Sequence, residues 1–392
     1  MDFRFINASS LNEAGDLWGY CFEKRGTPFF EWYFGSYCLK QNSIIGGYDD
    51  AALACMLHLN PYEIVLRGQV VKLPYIVGVA VAPEYRGRHL LADLLGTTFT
   101  ILRAQGAAFA FLLPINPQIY LPYGFATCYY RHLYRVPLAR LKLRAAAHEP
   151  RLERRLPSAE QATELAPVYE HCLANYNGYA LRSKAKWQEL LNGYCDEGAM
   201  LVVALDGKAV HGYMLYTIED KAFKVQELMA ADAPTMLAFL RFAMGHEALC
   251  AEFEWSAPSD DLLYLWLEGA TPACALQPAV MARCINIRKA LQQLPVPAGL
   301  SGRATILVTD DEIPLNSGLL KLRAQDGVLD VKQTADAEDV AMDIAAFTQL
   351  CFGAFSVHEL AAAGRLRIGN AEAARFLNEL FAKCNNYINE LY

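Results

Sequence analysis

The sequence predicts an α/β (α+β) protein built from more than one domain. Strand and helix signals alternate over the first 135 residues, and residues 160–255 repeat that order. The last 110 or so residues instead combine a small sheet with several helices. A chain of 392 residues also exceeds one ordinary core, because domains average about 100–200 residues. We therefore predict three domains, at residues 1–145, 146–282 and 283–392.

The predicted elements follow from local patterns along the chain. Alternating and β-branched residues predict strands at 44–48, 51–59, 70–82, 109–113 and 125–136, the last as a late strand or hairpin. Helical spacing covers 12–37, with a break at Gly26-Thr27-Pro28, and 90–105, which ends at Gly106. The second domain is predicted to contain helices 160–175, 183–191 and 236–246, a hairpin of strands 200–205 and 209–218, and strands 223–229 and 251–255. The third is predicted to contain strands 304–309, 318–324 and 327–331 and helices 336–351, 357–363 and 371–380.

Composition excludes several classes of protein. Hydrophobic residues make up 54% and charged residues 20%, which argues against disorder and favours apolar interfaces in a homo-oligomer. The net charge of −7 argues against nucleic acid as a partner. Eleven cysteines without a Cys-x-x-Cys pair favour reduced thiols over disulfides or a zinc site, so no metal is predicted. No signal peptide or run of about 20 apolar residues is evident, and we expect a cytoplasmic protein without membrane contact.

One stretch combines a strand, a basic turn and a helix. The apolar strand Ile76–Val81 leads to Pro83, the turn Arg86-Gly87-Arg88 follows, and an apolar helix begins at Leu90. Backbone N–H groups at such a helix start can bind a pyrophosphate, with help from the helix dipole and the two arginines. An ordinary turn between a strand and a helix is the alternative interpretation.

A second motif follows at Tyr120-x-x-x-Gly124-Phe125, 34 residues after Arg86. A tyrosine phenol has an ordinary pKa near 10, so at neutral pH it is a protonated donor that suits a leaving thiolate. The alternative for Tyr120 is a core aromatic residue with a satisfied hydroxyl. Tyr123 is the more structural of the two tyrosines.

Together these motifs resemble those of the GNAT acetyltransferases. That resemblance implies acetyl-CoA as cofactor, with the pantetheine arm along the strand, the pyrophosphate at the turn, and Tyr120 as the general acid. The predicted coenzyme contacts are Val79, Ala80, Val81, Arg86, Gly87, Arg88, His89, Leu90, Leu91 and Asn116. The turn departs from the family pattern, since His89 and Leu91 stand where glycines are usual. If His89 is helical, its N–H stays available while its Cβ crowds the coenzyme site.

The turn Pro83–Arg88, followed by leucines, is similar to one GNAT branch, the Eis-type (enhanced intracellular survival) N-acetyltransferases. The resemblance implies tandem GNAT folds, the second degenerate, and a third domain with a sterol carrier protein-like fold. Residues 280–283, 310–316, 350–353 and the tail 381–392 resemble motifs of that third domain. The second unit lacks a basic glycine turn before its helix 236–246, which fits a duplicate that has lost the cofactor.

The same resemblance implies a catalytic pair and an acceptor. Tyr120 matches the general acid, and the carboxylate of Tyr392 matches the general base. A carboxylate with an ordinary pKa near 3.5 is a weak base, so the alternative role for it is to orient the amine or a water. Acceptors would be primary amines, such as aminoglycosides, polyamines or lysine side chains, and the assembly a hexamer. The predicted acceptor contacts are Phe22, Glu23, Trp32 and Glu390. The alternative function is a non-catalytic scaffold that binds acetyl-CoA or a lipid, for which the third domain and His89 are the argument.

Overall fold

The structure is a computed structural model that describes residues 1–141, 143, 150–265 and 273–390. Its helices are α1 (Leu11–Cys21), α2 (Pro28–Trp32), α3 (Leu90–Ala104), α4 (Ala162–Leu173), α5 (Lys184–Asp196), α6 (Ala233–Met244), α7 (Ile287–Gln292), α8 (Ile344–Phe352), α9 (Val357–Ala362) and α10 (Ala371–Leu380). Its strands are β1 (Asp2–Phe5), β2 (Ser43–Asp49), β3 (Ala52–Leu66), β4 (Gln69–Val81), β5 (Phe109–Leu112), β6 (Ala126–Thr127), β7 (Tyr130–Pro137), β8 (Arg151–Arg155), β9 (Tyr179–Ala180), β10 (Met200–Asp206), β11 (Ala209–Glu219), β12 (Ala222–Ala230), β13 (Glu252–Pro258), β14 (Ala273–Pro278), β15 (Met281–Cys284), β16 (Gly302–Thr309), β17 (Gly318–Gln325), β18 (Val328–Gln333), β19 (Val340–Asp343) and β20 (Leu366–Ile368). The α/β (α+β) class predicted from the sequence is confirmed.

The chain divides into two compact units. Unit 1 combines Met1–Tyr129 with Ala279–Tyr392, and unit 2 is Tyr130–Pro278. Strand β7, which the sequence analysis placed at the end of the first domain, thus belongs to unit 2. The predicted boundaries at residues 145 and 282 stay predictions.

The first sheet of unit 1 runs in the order β1-β2-β3-β4-β5-β15-β6. Strands β3 and β4 form a long antiparallel hairpin that turns at Arg67-Gly68, where both residues have positive φ as a two-residue hairpin loop requires. The prediction ended β3 at Leu59, which was too early. Pro61 suggests a strand end in sequence, but here it faces Pro74 across the hairpin, so the missing donors oppose each other and pairing continues to Leu66.

The second sheet of unit 1 runs β18-β17-β16-β19-β20, with α8 and α9 between β19 and β20 and α10 after β20. The predicted single helix at 336–351 was wrong. Residues Val340–Asp343 form β19, parallel to β16, and α8 begins only after Asp343, whose carboxylate accepts a hydrogen bond from the Ala346 N–H at 2.7 Å. Every residue of α8 is buried, so the segment carries no amphipathic period to mark where the helix starts.

The described residues of unit 2 include a sheet in the order β14-β7-β13-β12-β11-β10-β8. The predicted hairpin at Asp206-Gly207 is confirmed as β10–β11. The apolar core of unit 2 is formed by residues of its sheet strands and of α6.

Within the described residues, no helix is both long and apolar enough to cross a membrane. The cysteines, all of which lie in the described ranges, are free thiols.

Candidate active site

In the first sheet the pairing of β4 with β5 stops short of the end of β4, and we call the stretch between the two strands beyond their last pair the slot. The two parallel strands are paired at Tyr75 and Phe111, whose rings stack at 4.5 Å. Further along β4 a bulge sets two β4 residues against one on β3, since Met56 pairs with Ala80 but His58 with Val77. The predicted coenzyme residues 79–81 begin within this bulge, because Val79 is one of its two β4 residues, and they lie past the pair that joins β4 to β5.

The basic turn lies at the end of that strand. A short 3-10 turn, Pro83–Tyr85, leads into extended Arg86, then Gly87 with φ of +77°, and α3 starts at Leu90. The N–H groups in the first turn of an α-helix have no intrahelical acceptor, and the helix dipole adds partial positive charge there. The predicted coenzyme residues 86–91 therefore form one anion-attracting corner.

His89 does not have the helical backbone that we expected. It adopts the left-handed conformation, with φ of 58° and ψ of 20°, immediately before α3. That conformation is easy for glycine and costly for residues with a Cβ, although histidine adopts it more often than most. Glycine is therefore favoured at this position of the family by the local backbone conformation, in addition to the space that the ligand needs.

The arginine side chains of the turn reach outward. Arg86 donates a hydrogen bond to the Val81 carbonyl at 3.3 Å, and Arg88 lies 3.7 Å from the Asp49 carboxylate and over the Tyr85 ring. Both remain exposed. Burial raises the pKa of the neighbouring Cys21 thiol, and the positive charge of Arg86 opposes that shift. The exposed guanidinium groups of Arg86 and Arg88 are therefore available to an anion that binds at this corner.

Tyr120 lies in a loop that follows β5. The loop consists of two short 3-10 turns, and the Asn116 side chain caps the first by accepting a hydrogen bond from the Gln118 N–H at 3.0 Å. Asn116 is exposed, whereas Tyr120 is half-buried against the same apolar core that holds Val79 and Leu91. Burial raises the pKa of the Tyr120 phenol to about 12, so it is protonated throughout the neutral range.

The glycine of the second motif has a packing reason. Gly124 has φ of +76°, and a Cβ there would lie 3.1 Å from Cζ of Arg283 and closer still to its Nη1. The next residue, Phe125, contacts the Tyr120 ring at a centroid distance of 5.9 Å. The spacing Tyr-x-x-x-Gly-Phe thus describes one turn resting on a buried arginine that the sequence analysis did not connect with it.

The predicted acceptor residues Phe22, Glu23 and Trp32 lie at or near α1 and α2. Phe22 is 40% exposed, and the other two are partly buried. Sequence analysis missed Trp18, whose ring contacts Phe22 at 4.9 Å and closes over Gly78 in the β4 bulge. The signal was available, because residues 18 and 22 are four apart and share one helix face.

A buried polar cluster behind Trp18 was also missed. The Tyr33 hydroxyl lies 3.0 Å from His58 Nδ1 and 3.1 Å from Asn60 Oδ1, and Asn42 donates to the latter at 2.9 Å. Burial lowers the pKa of His58 to about 3, so its imidazole is neutral. Residues 58 and 60 are the polar exceptions in an apolar strand and lie on one face, which was the available signal.

The tail enters unit 1 beside the slot. The Tyr75 hydroxyl donates to the backbone oxygen of Glu390 at 3.1 Å, and Asn386 Nδ2 donates to the Cys128 carbonyl at 2.8 Å. Glu390 itself is 3% exposed. The predicted base, the carboxylate of Tyr392, lies outside the described residues. The described tail nevertheless ends next to Tyr75, where β4 and β5 part.

Unit 2 has a different helix start at the corresponding place. Helix α6 follows β12 through Asp232, whose carboxylate accepts a hydrogen bond from the Thr235 N–H at 2.9 Å. A hydrogen bond from the Thr235 side chain, with a smaller contribution from this backbone hydrogen bond, holds the pKa of Asp232 below its usual range. A carboxylate already satisfies the helix start here and would repel a pyrophosphate, which fits the degenerate character of the second unit.

Sequence families and solved structures resemble all three parts of the chain. Residues 2–128 and 178–284 each match an acetyltransferase (GNAT) domain family, and residues 287–389 match a sterol carrier protein domain family. The N-acetyltransferase Eis of Mycobacterium tuberculosis is 26% identical over 315 residues, which cover 78% of this chain and 76% of that protein. An "Uncharacterized N-acetyltransferase" of Streptomyces griseus is 26% identical and covers 81% of each.

Among solved structures, Eis1 from Mycobacterium abscessus matches with a TM-score of 0.78 at 18% identity, over the full length of both chains. This likeness confirms the fold. GNAT acetyltransferases use acetyl-CoA as cosubstrate, so the domain matches also confirm the predicted enzyme class. The chain belongs to the Eis-type GNAT N-acetyltransferases, with tandem GNAT domains and a C-terminal sterol carrier protein-like domain.

Proposed function

We propose that unit 1 binds acetyl-CoA in the slot between β4 and β5 and transfers the acetyl group to a primary amine. The end of the β4–β5 pairing at Tyr75 and Phe111, while β4 continues toward the start of α3, is the observation that carries this proposal. A free strand edge can pair with the amides of the pantetheine arm, as it would with a peptide. The N–H groups at the start of α3 then face the pyrophosphate.

The transfer is a direct attack within a ternary complex. The amine lone pair attacks the thioester carbonyl carbon, while a backbone N–H of β4 polarises the carbonyl oxygen. The C–S bond breaks as the amide forms, and the Tyr120 phenol donates its proton to the leaving thiolate. The amine proton leaves to the tail carboxylate or to water, and Tyr120 regains a proton from solvent.

For the tail we propose that the carboxylate of Tyr392 orients the amine or accepts its proton. Two residues follow Glu390, and because an extended chain spans about 3.3–3.6 Å per residue, chain length allows them a reach of roughly 7 Å from Glu390. The hydrogen bond from Tyr75 to Glu390 supports this reach into the slot. A peptide tag added after Tyr392 should lower turnover without lowering the melting temperature; a fully active tagged protein would contradict the role.

The acceptor we propose is a cationic amine, in the class of aminoglycosides, polyamines or lysine side chains. Phe22 and Trp32 offer aromatic faces, and Glu23 offers a carboxylate on the same segment. A cation over an aromatic ring gains about 0.5–2 kcal/mol, so several such faces select charged amines. We also propose that the protein is cytoplasmic and forms a homo-oligomer, a hexamer as in the family. Sedimentation of the purified protein tests the number of subunits.

The test is calorimetric titration of the untagged protein with acetyl-CoA, followed by thiol release over a panel of amines. One site per chain and thiol release with at least one polyamine or aminoglycoside are expected. Neutral amines of similar size serve as the matched panel. Absence of coenzyme binding would refute the slot, whereas binding with equal turnover of neutral and cationic amines would refute only the acceptor class.

A further inference from the structure

The strongest unexplained feature of unit 1 is a buried ion pair beneath the Tyr120 turn. Arg283, on β15, donates through Nη2 to the Asp310 carboxylate at 2.8 Å, and the two side chains are 0% and 1% exposed. Taking two charges out of water is expensive, and replacing such a pair with apolar side chains is often neutral or stabilising. A pair of this kind is therefore weak evidence for stability and calls for another reason.

Asp310 is held rigidly by its other partners. Its Oδ1 accepts the backbone N–H groups of Glu312 and Ile313 at 3.1 and 3.0 Å, and its Oδ2 accepts Asn316 Nδ2 at 2.9 Å. A carboxylate with this many donors has little freedom to move. It therefore presents a fixed anchor to the guanidinium of Arg283.

The opposite side of the guanidinium meets the turn that carries Tyr120. Its Cζ lies over the Phe99 ring, 4.5 Å from the ring centroid, and its Nη1 contacts the position where Gly124 would bear a Cβ. Neither Nη1 nor Nε has a hydrogen-bond partner within the described part of the chain. Arg283 thus uses its rigid plane as a support beneath Gly124.

A second line of contacts leads from the same arginine to the phenol. Phe99 contacts Phe125 at a centroid distance of 6.0 Å, and Phe125 contacts Tyr120 at 5.9 Å. Both the backbone at Gly124 and the ring of Tyr120 therefore rest on Arg283.

We propose that the Arg283–Asp310 pair positions the turn at residues 120–124, and through it the Tyr120 phenol, for proton donation. The two are positioning residues, Arg283 from strand β15 of the first sheet and Asp310 from the sterol carrier protein-like domain. The inference rests on the proposed role of Tyr120 as the general acid. It also assigns the sterol carrier protein-like domain a part in acetyl transfer that requires no lipid.

The test is a double-mutant cycle between Arg283→Lys and Tyr120→Phe, with kcat measured by thiol release and acetyl-CoA affinity by calorimetry. Lysine keeps the charge but lacks the plane. Because a displacement of 1 Å can cost on the order of 10²-fold, we expect Arg283→Lys to lower kcat about 10- to 100-fold. The acetyl-CoA dissociation constant should stay within about twofold. In the Tyr120→Phe background Arg283→Lys should change kcat little, because the acid it positions is absent.

Equal losses of kcat in both backgrounds would overturn the proposal, as would an unchanged kcat in Arg283→Lys while Tyr120→Phe alone is impaired. An unchanged kcat in Tyr120→Phe would instead locate the failure in the proposed acid. Asp310→Asn, which keeps shape and one acceptor oxygen, serves as the second variant should Arg283→Lys fold poorly. Like Arg283→Lys, Asp310→Asn should lower kcat in the native background and change kcat little in the Tyr120→Phe background.

Unit 2 offers a matched control for lost stability. Arg182 donates both terminal nitrogens to the Glu227 carboxylate, at 2.9 and 2.6 Å, and its side chain is 1% exposed beneath the rings of Tyr169 and Trp187. Arg182→Lys should lower the melting temperature to a similar extent as Arg283→Lys. It should leave the kcat of the folded protein unchanged.

Discussion

Replacing Tyr120 by phenylalanine removes one hydroxyl and little else. The ring packs against Phe125 at 5.9 Å and against the apolar core near Leu91, contacts that phenylalanine keeps. We therefore expect the melting temperature and acetyl-CoA affinity of Tyr120→Phe to match those of the native protein. General acid catalysis contributes about 10²–10⁴-fold, so kcat should fall by that range. This corresponds to roughly 3–5 kcal/mol in the barrier.

The pH dependence supplies a second measurement on the same residue. With the pKa of Tyr120 raised to about 12 by burial, only about one phenol in 10⁴ is ionised at pH 8. The proton to be donated is thus present across the usable range. The rate of the native protein should show no falling limb from Tyr120 below about pH 11, and a steep loss centred near the ordinary value of 10 would refute the buried, protonated donor.

Tyr123 is the matched control for this prediction. It lies one helical turn further along the same loop, is also partly exposed, and has its pKa raised by burial and by the nearby Glu312 and Asp93 carboxylates. Tyr123→Phe should retain kcat within a few-fold when both variants are assayed for thiol release at saturating acetyl-CoA and amine. Equal rates of Tyr120→Phe and the native protein, or equal losses in the two variants, would refute the assignment of Tyr120 as the acid.

Three further perturbations test the site and its scaffold. His89→Gly should bind acetyl-CoA several-fold more tightly by calorimetry, because glycine adopts φ of 58° freely and removes the Cβ. The control Asp326→Gly, at φ of 53° in a remote turn, should leave acetyl-CoA affinity unchanged. Weaker binding by His89→Gly would mean that the imidazole itself contacts phosphate. Gly78→Ala should lower the free energy of unfolding by about 2–5 kcal/mol in urea titration, because a Cβ there clashes with Trp18 and the left-handed backbone adds strain. The control Gly68→Ala has positive φ but open space around it, so it measures the backbone cost alone. An equal loss of stability in the two variants would exclude the clash with Trp18. Ser356→Ala removes the hydroxyl that caps α9 and should cost about 1 kcal/mol by the same measurement, with no change in kcat; no loss of stability would show that the cap is satisfied by water.

Several parts of this protein can be predicted from local patterns in the amino-acid sequence. Strand β4, the turn 86–89 and helix α3 follow one another within 36 residues, and their alternation, proline, glycine and helical period are each readable there. The hairpin at Asp206-Gly207 is equally local, because two adjacent residues supply the required backbone. Resemblance to a known family then added the acid at Tyr120, whose spacing from Arg86 is also a property of the chain alone.

The contacts that support those residues, in contrast, became visible only in the folded chain. The left-handed backbone of His89, the burial of α8 and the continuation of β3 past Pro61 depend on neighbours that local pattern does not contain. The contact between Gly124 and Arg283 joins residues far apart in sequence, as does the hydrogen bond from Tyr75 to Glu390. The physical reason is that the burial of a side chain depends on the residues that pack against it, and burial in turn shifts its pKa. Packing between residues far apart in the sequence leaves no periodic pattern in the sequence.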